Sequence, residues 1–173
     1  MTHFFLVDQA WWAFCMRWLH IMSGVMWIGH LWYFNFVQTP TMPKIPDELK
    51  PAIPRFIAPA ALFWFRWGAM ATIITGLILA GLQGYLGSAI ILGIGGHNTH
   101  DTAIGFGMWL GAIMWFNVWF IIWPNQKKVL GIVPAEADAK KAAARLAGLT
   151  SRVNTMLSIP MLYAMAGASH GVF

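Results

Sequence analysis

The chain has 173 residues, of which 58% are hydrophobic and only 10% charged, with a net charge of +5. Soluble domains usually carry about 25% charged residues, so a mean hydropathy of +0.60 with several long uncharged runs excludes an ordinary soluble domain and predicts a polytopic membrane protein. The cations lie in short loops between apolar runs and form no basic stripe, which excludes a nucleic-acid partner.

Four apolar spans follow in chain order, and together they predict an all-α fold: a polytopic membrane four-helix bundle forming a single transmembrane domain over residues 1–173. The first span, about residues 10–37, is broken only by Arg17 and carries His20 and His30. It lacks the basic start and small-residue cleavage site of a removable signal. Its one cysteine, Cys15, reads as a small helical residue, and no intrachain disulfide and no CxxCH haem attachment are available. The second span, about 57–83, tolerates Arg66. The glycine-rich stretch 84–96 reads as a turn or half-inserted loop over the outer end. The third span, 102–123, has no charge at all. Residues 134–148 read as a short cytoplasmic helix with Pro134 in its first turn, acids first and bases after. The fourth span, about 153–170, is close to the lower limit of about 17 residues, with Thr150 or Ser151 as its cap and a kink at Pro160.

Charge placement predicts orientation. Ten of the eleven Lys and Arg fall in two regions. Lys44, Lys50, Arg55 and Arg66 lie in or after the first loop; Lys127, Lys128, Lys140, Lys141, Arg145 and Arg152 lie in or beside the third. The positive-inside rule puts those loops in the cytoplasm and both termini on the outer, periplasmic side. The predicted location is the bacterial inner membrane, multi-pass.

Imidazoles within hydrocarbon point to function. His20 and His30 are about 15 Å apart along the helix axis, and their side chains point about 80° apart. His97 and His100 open the third span, and His170 closes the fourth, so most histidines gather in the outer half. Haem b fits this layout, because its iron takes axial imidazoles and bundle interiors hold cofactors between facing helices. Gly24, one turn after His20, would let a ring approach the backbone, and Arg17 would pair with haem propionates. The expected outer site is His20 with His100 or His170. His30 lies deeper, where Met114, Met161 and Arg66 are at similar depth. It either serves a second haem with His/Met or five-coordinate ligation, or is a hydrogen-bonded or proton-handling residue. Asn35, Asn117 and Asn154 read as helix-joining groups, and the methionines mostly as packing. Copper is the lesser alternative, since imidazole and thioether both ligate it. No phosphate loop, GxSxG or HExxH is present, and no span contains a carboxylate.

The segments WLHIMSGVMWIGHLWYFNFVQTP, FWFRWGAMATIITG, MWFNVWFIIWPNQKKV and SRVNTMLSIPMLYAMAGASH resemble the membrane domain at the N-terminus of PuuD-type bacterial urate oxidases. More distantly, the histidine-bearing first span is similar to those of the small membrane proteins HemJ, a protoporphyrinogen oxidase, and CopD, a copper-resistance protein. The resemblance implies an inner-membrane protein linked to redox chemistry. Members of the family have a longer membrane region and an attached c-type cytochrome, which are not among these residues. It therefore implies a stand-alone short form that keeps the haem or electron-transfer role, or a subunit of a larger complex. The expected function is a b-type cytochrome passing electrons to a partner such as a cytochrome c or a quinone-linked complex. The alternatives are a membrane oxidase of urate or a related heterocycle, and a non-catalytic accessory or copper-handling subunit. Gly68, Gly76, Gly107 and Gly111 would allow close helix packing and a homo-oligomer.

Overall fold

The computed structural model describes residues 8–94 and 98–172. Among them the chain is all helical, with no strand. Helix α1 is Gln9–Trp32 and continues into a π-helical turn, Tyr33–Gln38. A short α2, Thr39–Thr41, and a 3-10 turn, Met42–Lys44, lead through the first loop. A second π-helical turn, Ile53–Ile57, opens α3, Ala58–Leu82. The short α4 is Leu86–Ile90. Helix α5, Thr99–Phe116, passes through a third π-helical turn, Asn117–Ile122, into α6, Trp123–Val129. Helix α7 is Ala137–Ser169.

Local chemistry explains several ends. The Asp8 carboxylate accepts from the Ala10 amide at 2.9 Å, and the Asn98 side chain accepts from the His100 amide at 3.1 Å. Each satisfies one of the amides that a helix start leaves without a partner.

The short cytoplasmic helix and the fourth span are one continuous helix of 33 residues. Nothing between them stops it: the joining residues KKAAARLAGLTSRV are mostly strong helix formers. Thr150 and Ser151 therefore lie inside α7 instead of capping it, and Pro160 is accommodated within it. Pro134 precedes the first helical residue, Ala137, and is not in the first turn.

The stretch after α3 is more regular than its glycines suggest. Gly84 and Gly93 take positive φ values of 79° and 67°, where glycine avoids the Cβ penalty, and α4 forms between them. Ala89 of α4 is fully buried against α5. A Cβ at Gly105 would lie 2.1 Å from the Ala89 carbonyl oxygen, so this contact exists only because residue 105 is glycine. The Trp109 indole N–H donates to the Ile90 carbonyl at 3.0 Å and pins α4 further.

The long helices alternate in direction. Helix α1 packs along α3, and α5 along α7. At the Lys/Arg-rich end all of them meet in one core of Trp27, Leu31, Leu62, Phe65, Met114, Val118, Ile122 and Met161. The expected glycine contacts are partly realised. A Cβ at Gly68 would meet the Trp27 amide at 3.2 Å and one at Gly107 the Met165 side chain at 2.9 Å, whereas Gly111 has nothing within 4 Å.

Two helical stretches, Ile53–Leu82 and Thr99–Val129, are long and apolar enough to cross a membrane. Only 33% of each apolar window is buried inside the protein, unlike the core helix of a soluble domain. Trp18, Ile21, Val25, Trp64, Ile74, Phe106, Ile113, Phe120 and Ile159 all face outward. A large exposed apolar surface requires a cover.

Candidate functional site

His20 lies half-buried on the seam between α1 and α3. Its Nδ1 lies 2.9 Å from the Thr72 carbonyl oxygen. A carbonyl only accepts, so Nδ1 carries the proton and donates, and Nε2 keeps its lone pair. Thr75 Oγ1 is 3.5 Å from the same Nδ1 but donates to the Ala71 carbonyl at 2.6 Å. Gly76 makes the seat: a Cβ there would lie 2.8 Å from His20 Cε1 and 3.0 Å from Nδ1. Gly24, expected to make room beside His20, instead faces α3, with Thr72 Cγ2 at 3.9 Å from its would-be Cβ.

The other described histidines share this pattern. His30 Nδ1 donates to the Met26 carbonyl at 2.7 Å, and His170 Nδ1 to the Ala166 carbonyl at 2.9 Å. His170 is exposed and caps the last turn of α7, with Ser169 Oγ at 3.2 Å. His100 Nδ1 pairs with Asp101 Oδ1 at 3.0 Å. In each ring Nδ1 is committed to oxygen. His97 lies outside the described residues.

His100 belongs to a polar cluster at the end away from the Lys/Arg-rich loops. Its ring packs edge-on against Tyr85, with centroids 5.4 Å apart. The Ser88 hydroxyl donates to the Asp101 carboxylate, which is buried at 7% exposure. Burial pushes the Tyr85 phenol pKa up; the Arg17 guanidinium opposes that rise and the Asp101 carboxylate reinforces it. The Arg17 charge is thus felt at Tyr85, the ring that packs against His100.

Of the expected site residues, His100 sits in the cluster with Tyr85, Ser88 and Asp101. His20 is on the α1–α3 seam one turn from Arg17, His170 is at the end of α7, and His30 is turned onto its own helix. Among the described residues, no three His, Cys, Asp or Glu side chains converge as a metal-binding group. Arg66 is held at the inner end, its guanidinium carbon 3.2 Å from the centroid of the Trp123 ring, a cation–π stack.

The asparagines join helices as expected. Asn154 is fully buried; its amide donates to the Met114 carbonyl at 2.9 Å, and its oxygen accepts from Asn117 at 2.7 Å. Asn35, the third expected joiner, also crosses between helices, whereas sequence reasoning missed Trp32 and the two serines of this seam. The Trp32 indole donates to Ser158 Oγ at 3.0 Å, and the Asn35 amide to Ser151 Oγ at 2.8 Å. The spacing of Ser151, Asn154, Thr155 and Ser158 on one helical face was the available signal. Tyr85 and Ser88 were also missed, because nothing local links them to His100.

An all-helical protein with apolar outer faces and helix-borne histidines is what these features define. Over residues 97–172 the chain matches the family model described as urate oxidase N-terminal. The matched stretch includes His100 and His170; Arg17, His20 and His30 precede it. No curated protein and no solved structure matches the chain.

Proposed function

We propose that the protein is a multi-pass component of the bacterial inner membrane, a four-span bundle with its termini outside, that binds haem b in its outer half through His20 and passes electrons to a redox partner. The observation that carries this reading is the Nδ1 bond from His20 to the Thr72 carbonyl. Metal-ligating histidines typically donate their other ring N–H to a carbonyl or carboxylate, which fixes the tautomer and raises ligand basicity. His20 is so held, with Nε2 as its remaining donor atom. His20 would supply one imidazole ligand, His100 or His170 a second, and Arg17 a counter-charge for propionates. Bound haem supplies one-electron chemistry. The protein's own part is to orient the imidazole, through Thr72 and the Gly76 seat, and to screen the site with the apolar faces of α1 and α3. His30 is held in the same way by the Met26 carbonyl, so a second haem there is read from stoichiometry.

Purified protein expressed with ample haem should show a reduced α-band and the pyridine haemochrome of haem b. A colourless preparation sinks the proposal. One haem per chain assigns the outer site alone, and two require His30.

The family match favours a second reading, a membrane oxidase of urate or a related heterocycle. Loss of urate oxidation from membranes of a deletion strain, restored by the gene, supports it; unchanged oxidation removes it. In either reading the partner is a cytochrome c or a quinone-linked complex.

A further inference from the structure

Arg66 is the single cation on α3, and the histidine chemistry does not use it. Its guanidinium carbon lies 3.2 Å from the centroid of the Trp123 ring, and Lys127 Nζ lies 5.9 Å from the same centroid. Two positive charges therefore flank one indole. Neither α3 nor α6 contains an acid. Among the described residues, the ion pairs at this end are Lys50 with Asp47 and Lys141 with Asp138, and they leave both of these cations out. An indole face attracts a cation through its quadrupole, but it carries no countercharge. Charged side chains on membrane helices ordinarily pair with a partner that offsets them. Here the nearest charged neighbour has the same sign.

The open edge of this pair faces outward. Arg66 Nε and Nη1 are shut off from solvent, while the residue as a whole is partly exposed. Nη2 is therefore the donor it presents to the surface. Lys127 is also partly exposed, and Lys128 beside it is exposed. Deeper along the same seam the surface is aromatic. Phe63 and Trp67 are exposed on α3, and Trp67 packs edge-on against Trp119 at 5.5 Å. Trp119 stands one turn before Trp123, and Lys127 one turn after it. The seam thus offers cations at the Lys/Arg-rich end and apolar rings one turn further in. A soluble anion would use only the first of these; an anion with an apolar body uses both.

We propose that the α3–α6 seam at Arg66, Trp123 and Lys127 binds the head group of an anionic phospholipid. Arg66 Nη2 and Lys127 Nζ donate to its phosphate oxygens, and its acyl chains lie on Phe63 and Trp67. Basic pockets between membrane helices on the cytoplasmic side take such head groups. A zwitterionic lipid is disfavoured, because its own ammonium meets a second cation. The assignment rests on the membrane reading above, which puts this end at the cytoplasmic leaflet.

The test is native mass spectrometry of the full-length protein in detergent, titrated with phosphatidylglycerol or with phosphatidylethanolamine of the same chains. Phosphatidylglycerol should be retained about fivefold more strongly. Arg66→Gln and Lys127→Gln should each lower its retention about fivefold. Lys127 lies near the end of α6 and is partly exposed, so its variant tests the site even where Arg66→Gln does not fold. Lys140→Gln, on the exposed start of α7, should leave retention unchanged. Equal retention of the two lipids, full retention in Lys127→Gln, or the same loss in Lys140→Gln overturns the proposal. Displacement of the lipid by an equal concentration of inorganic phosphate also overturns it, since the site is then one for free phosphate. Protein recovered from cells in the soluble fraction overturns the membrane reading together with this one. Membrane-embedded protein that does not distinguish the lipids overturns the lipid site alone.

Discussion

The Lys/Arg-rich half of this molecule and the opposite half are built on different terms. In the Lys/Arg-rich half every long helix takes part in one core, and several polar groups join helices: Asn154 joins Met114 and Asn117, Trp32 reaches Ser158, and Asn35 reaches Ser151. In the opposite half, α1 has no buried residue before Trp27 and packs mainly along α3. There His20 and His100 keep Nδ1 occupied by oxygen acceptors, and Tyr85 packs edge-on against His100. Between apolar helices in lipid there is little hydrophobic drive, so close packing and interhelical hydrogen bonds must hold the structure. The comparison teaches that one half is held by a shared core and interhelical hydrogen bonds, while the other holds the looser seam at which the proposed cofactor would sit.

Substitutions in the two halves should therefore separate stability from spectrum. The largest effect expected is from His20→Ala: complete loss of the reduced α-band, with a melting temperature in detergent close to that of the unaltered protein. A retained band would reverse the roles of the two halves. Asn154→Leu should show the converse, a loss of about 1–3 kcal/mol in reversible unfolding because the Met114 carbonyl and Asn117 lose their partner, with the band unchanged. Gly105→Val forces a side chain into the Ala89 carbonyl. It should cost about 1–3 kcal/mol, concentrated as faster hydrogen exchange at Leu86–Ile90. Gly76→Ala is subtler: the added methyl group, 2.8 Å from His20 Cε1, should tilt the ring off Thr72 and shift the band position without abolishing it. The smallest effect belongs to Trp32→Phe, which removes one interhelical hydrogen bond and should lower stability by about 0.6 kcal/mol.

Much of the helical organisation was legible in the chain. Apolar runs of spanning length, Arg17 and Arg66 as isolated interruptions, and asparagines as helix joiners could all be read, because each depends on residue type and spacing along one helix. Where the reading broke down, the deciding term was not local. Residues 134–170 looked like two helices because their polarity changes near Ser151, yet helix continuity depends on backbone propensity, which does not change there. The segment after α3 looked irregular because glycines were counted without the partner that explains them; α4 forms because Ala89 finds the bare backbone of Gly105. His20 and Gly24 were rightly placed on one face of α1, but that face meets α3.

By itself the sequence determined the class of this protein: an apolar, all-helical chain with its cations confined to two regions and its histidines on or at the ends of helices. These are properties of composition and helical period, and they hold whatever the helices touch. Only the tertiary structure decided which ring nitrogen of His20 is committed, since the carbonyl that binds it belongs to Thr72, 52 residues away. It also decided that His100 packs against Tyr85, and that a small cavity lies at the opposite end. Each depends on how two helix surfaces come together, and hydrogen bonds and cavities exist only once that packing is set.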